Sequence, residues 1–137
     1  MAVTHLIDTS VATRLIQPSV EQRLILAVSR KRVGRTRVTD LERGFSARNG
    51  AEWDSLIGGL APFPVVEVRD VDLVSAGDVQ RRLAARGHRG RKLPDLIIAA
   101  VAHRLGLTVL HYDADFDLIT AETGQQCEWV VPRGSID

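Results

Sequence analysis

A run from Leu93 to Gly106 sets the terms of the fold. Pro94 stands where a first helical residue belongs and Gly106 closes the segment. Between them Leu96, Ile97, Ile98, Ala99, Ala100 and Val101 follow one another without a polar side chain. A helix of that composition has no side fit for water, so it must be covered on most of its circumference. The flanking segments supply the cover. Val3 to Ile7, Val33 to Val38, Val65 to Val68, Thr108 to Tyr112 and Glu128 to Val131 are short and rich in β-branched or apolar residues, and they read as strands.

Longer segments of helical spacing lie between them. Thr9 or Ser10 is placed to cap a helix continued by Val11, Leu15 and Ile16, and Val20, Leu24, Ile25 and Val28 mark a second helix ending near Arg30. Thr39 or Asp40 is expected to cap a third, with Glu42 in its first turn. A fourth runs from about Ala51 to Leu60, a fifth from Val71 to Arg86, and another from Asp115 to Glu122 before Gly124. Strands alternating with helices imply right-handed βαβ units. The expected fold is a three-layer α/β/α sandwich around a mostly parallel central sheet. At 137 residues and with neither linker nor repeat, residues 1–137 read as a single domain.

No apolar run reaches the ~18 residues of a membrane span, and the acid at Asp8 interrupts what a secretory leader would continue. The lone Cys127 builds no intrachain disulfide, so a cytoplasmic protein with no membrane association is expected. Net charge is only +1, yet the charges are sorted. Arg30, Lys31, Arg32, Arg35 and Arg37 form one stretch without acids, and Arg81, Arg82, Arg86, Arg89, Arg91 and Lys92 form another. Together they hold 11 of the 18 Lys and Arg residues, which points to locally positive surface suited to a polyanion.

In a parallel sheet the carboxyl ends of the strands and the amino ends of the helices that follow share one edge, where ligands bind. Asp8 ends the first strand, and Asp113 follows the strand Thr108 to Tyr112, with Asp115 and Asp117 just beyond. Glu42 follows the second strand, and Asp95 opens the apolar helix. Singly, each has a structural explanation in capping or the helix dipole. As a group they do not, because adjacent carboxylates repel unless a cation lies among them, and an all-oxygen set of Asp and Glu suits Mg²⁺ or Mn²⁺. Such a cluster beside arginines is fitted to phosphodiester hydrolysis.

Four motifs in order, Leu6-Ile7-Asp8-Thr9-Ser10, Thr39-Asp40-Leu41-Glu42, Leu93-Pro94-Asp95-Leu96-Ile97-Ile98-Ala99-Ala100 and Asp113-Ala114-Asp115-Phe116, give the chain a resemblance to the PIN-domain nucleases, and within them to the VapC toxins of bacterial toxin–antitoxin systems. The resemblance implies a small metal-dependent endoribonuclease acting on structured RNA such as transfer or ribosomal RNA. Asp8, Glu42, Asp95 and Asp113 would form the acidic metal site, with Asp115 as a further catalytic acid and Asp117 as an extra acid beside it. Ser10 would make a supporting polar contact to the RNA. The tract holding Arg86, Arg89, Arg91 and Lys92 is read as an RNA or antitoxin contact. The resemblance also implies a homodimer, and a cognate VapB-like antitoxin that inhibits it in a heterotetramer or larger assembly.

Two rivals stand beside this. A phosphatase with Asp8 as nucleophile is disfavoured because the second Asp such enzymes need would fall at Ser10, and no glycine-rich phosphate loop is present. A PIN-like module that binds RNA or protein without turnover is disfavoured by the full set of acids.

Overall fold

The structure is a computed structural model and describes residues 2–137. Among those residues the elements run β1 (His5–Ile7), α1 (Thr9–Ala12), α2 (Pro18–Ser29), β2 (Val33–Gly34), α3 (Arg37–Gly44), α4 (Gly50–Gly58), α5 (Asp70–Ala85), α6 (Leu93–Leu105), β3 (Thr108–His111), α7 (Asp115–Thr123) and β4 (Cys127–Trp129). The sheet has four strands in the order β2-β1-β3-β4, and every pairing is parallel. The chain leaves β1 towards β2 on one side and later returns to β3 on the other. The reversal opens a crevice between the carboxyl ends of β1 and β3.

Alternation along the strands fills two cores. Leu6 and Val109 face a layer of α5, α6 and α7, packing with Leu83, Ile98, Val101, Phe116 and Ile119. Ile7, Val33 and Leu110 face the other way, onto Val11, Val20, Leu24, Leu60 and Phe63. This is the expected three-layer α/β/α sandwich. Helix α6 buries Asp95, Leu96, Ile98 and every residue from Ala99 to Ala102, as its composition requires. It ends at Gly106, whose φ of 68° is the left-handed cap conformation that glycine adopts without strain.

Several boundaries move. The second strand stops at Gly34 because Thr36 takes the extended N-cap position of α3, so Thr39 and Asp40 lie inside that helix and do not cap it. Glu42 consequently lies in its second turn. The expected strand from Val65 to Val68 reduces to one parallel bridge, Arg35 with Val65. With the chain entering α3 after β2, residues 67 and 68 have no strand left to join. Asp8, not Thr9 or Ser10, caps α1. That helix lasts one turn, and Ile16, expected to continue it, is 91% exposed.

Candidate active site

The Asp8 N–H still belongs to the sheet, donating to the Leu110 carbonyl at 2.9 Å, while its side chain starts α1. Its Oδ2 accepts the Ser10 N–H (3.0 Å) and the Ser10 hydroxyl (2.7 Å), and the same hydroxyl accepts the Tyr112 N–H at 2.8 Å. Ser10 therefore fastens the Asp8 carboxylate to the end of β3. Across the crevice, the Asp113 N–H donates to His111 Nδ1 (3.2 Å), and Asp113 Oδ1 accepts the Asp115 N–H (2.9 Å). Asp95, on the first turn of α6, comes in from the third side. One carboxylate oxygen each from Asp95, Asp113 and Asp115 lies within 4.8 Å of the others. Glu42 closes the group, its carboxylate accepting the Thr9 hydroxyl.

Electrostatics follow from burial and crowding. Burial, then the charges of Asp8 and Asp113, push the Asp95 carboxyl up to about 8, against the opposing pull of Lys92. Burial also raises Glu42, opposed by its Thr9 hydrogen bond and reinforced by Asp8 and Asp113. Burial works to raise Asp113 as well, but its hydrogen bond to Lys92 and the Asp115 N–H hold it below the usual carboxylate range. Lys92 is hydrogen-bonded to Asp113, and Arg91 donates to Asp115 at 3.1 Å. Two buried oxygens, Asp8 Oδ1 and Asp95 Oδ2, have no protein partner. Orphaned carboxylate oxygens beside a partly neutralised cluster are what a hard divalent cation would satisfy, and an all-carboxylate donor set fits one.

The expected residues do not all gather here. Asp8, Ser10, Glu42, Lys92, Asp95 and Asp113 line one cleft of about 260 Å³, with Asp115 beside Asp113. Asp117 is exposed and accepts the Trp129 indole N–H at 3.3 Å. Arg81, which pairs with Asp78, lines a separate groove with His88, Arg89 and Arg91, whereas Arg86 turns to Glu122 at 3.0 Å and Arg82 pairs with Asp78. Of the tract, Arg91 and Lys92 are the residues paired with acids of the cluster. In the other basic stretch Arg35 is buried, donating to Asp40 (2.6 Å) and to the carbonyls of Leu60 and Phe63, so it adds nothing to a positive surface. Asp40 is accordingly a structural acid. Burial pushes the Cys127 thiol up to about 11, which suits a packing residue and not a nucleophile.

Sequence reasoning missed Thr9, Tyr112 and Arg14. Thr9 and Tyr112 adjoin recognised acids, a proximity that offered a signal. Arg14 lies in a turn that had been expected to be helix, and it lines the same cleft as Asp8 and Asp95.

Comparison with known proteins agrees with this arrangement. Residues 5–122 match the PIN domain family. The chain is 51% identical over 137 residues to Ribonuclease VapC51 of Mycobacterium tuberculosis, covering 100% of both proteins. It is 41% identical to Ribonuclease VapC21 of the same species, covering 98% of this chain and 99% of that one. It superposes on DNA-bound VapBC from Salmonella typhimurium with a TM-score of 0.77 at 19% identity, covering 94% of this chain and 99% of the other, a likeness of fold. The motifs, the acidic crevice and these matches agree, and the chain belongs to the PIN-domain family, among the VapC-type ribonucleases.

Proposed function

We propose that this protein is the toxin of a type II toxin–antitoxin pair, a divalent-metal-dependent endoribonuclease that hydrolyses phosphodiester bonds of structured RNA such as transfer or ribosomal RNA. Mg²⁺ is its metal and Mn²⁺ a substitute. The observation that carries the reading is the meeting of Asp8, Glu42, Asp95 and Asp113 at the strand-order reversal, with buried, unpartnered oxygens on Asp8 and Asp95.

Asp8, Asp95 and Asp113 are the residues to hold the cation, with Glu42 at the margin. Once bound, such an ion offsets charge on the phosphate and acidifies a water at neutral pH. Ser10 holds Oδ2 of the Asp8 carboxylate and leaves Oδ1 without a protein partner. Glu42, whose proton affinity burial has raised, is the group placed to take up or release a proton at the rim. Lys92 and Arg91 neutralise Asp113 and Asp115 in the free protein and are within reach of an entering phosphate. A cognate VapB-like antitoxin binds over this face and blocks it. The named VapBC complexes among the fold's neighbours support such a partner.

Cleavage of a structured RNA by the purified protein should need added Mg²⁺, stop in excess chelator and be absent from Asp8→Asn. Cleavage that persists in chelator and is also present at full rate in Asp8→Asn would sink the mechanism.

A further inference from the structure

The cleft has a cation on each wall. Lys92 stands on the α6 side against Asp113, and Arg14 stands on the α1 side. Arg14 is held as a phosphate-binding arginine needs to be. Its guanidinium lies over the Tyr112 ring, 4.9 Å from the centroid, and NH1 donates to the Ser10 carbonyl at 2.7 Å. Nε and NH2 both reach a single oxygen, Oδ2 of Asp137, at 2.6 and 2.5 Å. Among the described residues Asp137 is the acid paired with Arg14, and its side chain is 40% exposed. The segment carrying it is pinned by Tyr112, whose hydroxyl donates to the Ile136 carbonyl at 2.8 Å and accepts the Gly134 N–H at 2.9 Å. The fixed edge of the guanidinium, Nε with NH2, is the edge that binds an anionic group through two parallel hydrogen bonds. An exposed carboxylate there contributes little as a pair and is readily displaced.

We propose that Arg14 grips a phosphate of the RNA across the cleft from Lys92, and that Asp137 occupies that grip in the free protein as an internal stand-in for the phosphate. The inference rests on the ribonuclease reading and deepens it. The carboxylates of the cleft repel a polyanion. A fixed arginine opposite Lys92 therefore decides where the strand lies, while Asp137 lowers affinity for RNA that cannot displace it.

The test measures cleavage kinetics and salt-dependent binding of one RNA oligonucleotide on the full chain, with Mg²⁺ for kinetics and in chelator for binding. Arg14→Gln keeps a donor for the Ser10 carbonyl but loses the charge. It should raise KM roughly tenfold with kcat changed much less, and lower the salt slope of binding by about 0.7, the value of one phosphate contact on a single strand. Arg14→Lys should recover part of the affinity. Asp137→Asn should lower KM several-fold, and Arg14→Gln/Asp137→Asn should match Arg14→Gln alone, because with no guanidinium to occupy Asp137 has nothing to compete for. Thermal melts show whether each variant is folded. If Arg14→Gln is folded yet keeps the parent's KM and salt slope, the grip is wrong. A parental KM in Asp137→Asn overturns the competition. A parent that neither binds nor cleaves RNA overturns the ribonuclease reading itself, a result distinct from a shift confined to the variants.

Discussion

Asp95 is a carboxyl group held where a carboxylate is costly, 3% exposed and facing other acids. With its folded value pushed up to about 8 from an unfolded value near 3.8, the metal-free folded state holds this proton over a pH range in which the unfolded chain has released it. Stability of the metal-free protein therefore falls as pH rises from about 4 to about 8, and the penalty is fully present above that window. In chelator, Asp95→Asn should be more stable than the parent by ~1–3 kcal/mol at pH 8.5 and equal to it near pH 4. Denaturant melts at the two pH values check this, and equal stability at both would contradict it. Ser10 tests positioning. Read from the sequence as a contact to RNA, its hydroxyl in the fold bonds Asp8 and Tyr112. Ser10→Ala should cost roughly 10- to 100-fold in kcat by freeing the Asp8 carboxylate, with Ser10→Thr milder. Asp8 and Asp95 were legible as acids at element ends. That each keeps a buried, unpaired oxygen was not, because it depends on how β1, α6 and the end of β3 close around the two carboxylates.

Element boundaries were set by single residues. Gly34 ends β2 where a Cβ would lie 2.7 Å from Val66 Cγ2 and 3.1 Å from the Pro64 carbonyl oxygen. A backbone atom cannot swing aside, so Gly34→Ala should destabilise by ~1–3 kcal/mol, read as a lower denaturation midpoint with unchanged slope. Next to it, Arg35 links three segments, since it donates to Asp40 of α3 and to the carbonyls of Leu60 and Phe63 after α4. Burial works against the Asp40 carboxylate, but the hydrogen bonds from Arg35 and Arg37 hold it below its usual range. Arg35→Ala leaves Asp40 with one cation and the Phe63 carbonyl without a donor, while the Leu60 carbonyl keeps the Phe63 N–H, and should cost about 3 kcal/mol. A loss under ~1 kcal/mol would show that Arg37 and water replace it. The β-branched spacing of Val33 to Val38 reads as one strand, yet only Val33 and Gly34 pair and a helix starts at Arg37. Arg35 and the Thr36 cap decided that boundary.

Across the whole molecule, apolar surface remains after both faces of the sheet are covered. Val20 and Leu24 of α2 point inward, but Ile25 and Leu26 are 60% and 59% exposed, and Val71, Leu73 and Val74 of α5 are exposed too. A symmetric homodimer burying the α5 group is the expected solution state. Light scattering should give twice the 15.0 kDa chain mass, and Val71→Glu/Val74→Glu should give the monomer. A parent that remains monomeric at all practical concentrations would oppose this. No helix among the described residues is long and apolar enough to cross a membrane. The sequence by itself determined the α/β alternation, the covered helix α6 and the edge on which Asp8, Asp95 and Asp113 meet. These follow from local periodicity, terminators and the geometry of parallel strands, which neighbouring residues encode. Tertiary structure alone decided which cation neutralises which acid and which basic residues face the cleft. Arg14 meets Asp137 across 123 positions and Thr9 meets Glu42 across 33, while Arg35, within a basic run, is turned into the core. Such pairs are chosen by how distant elements pack and by the cost of leaving a buried polar group unpaired, and no local pattern records that choice.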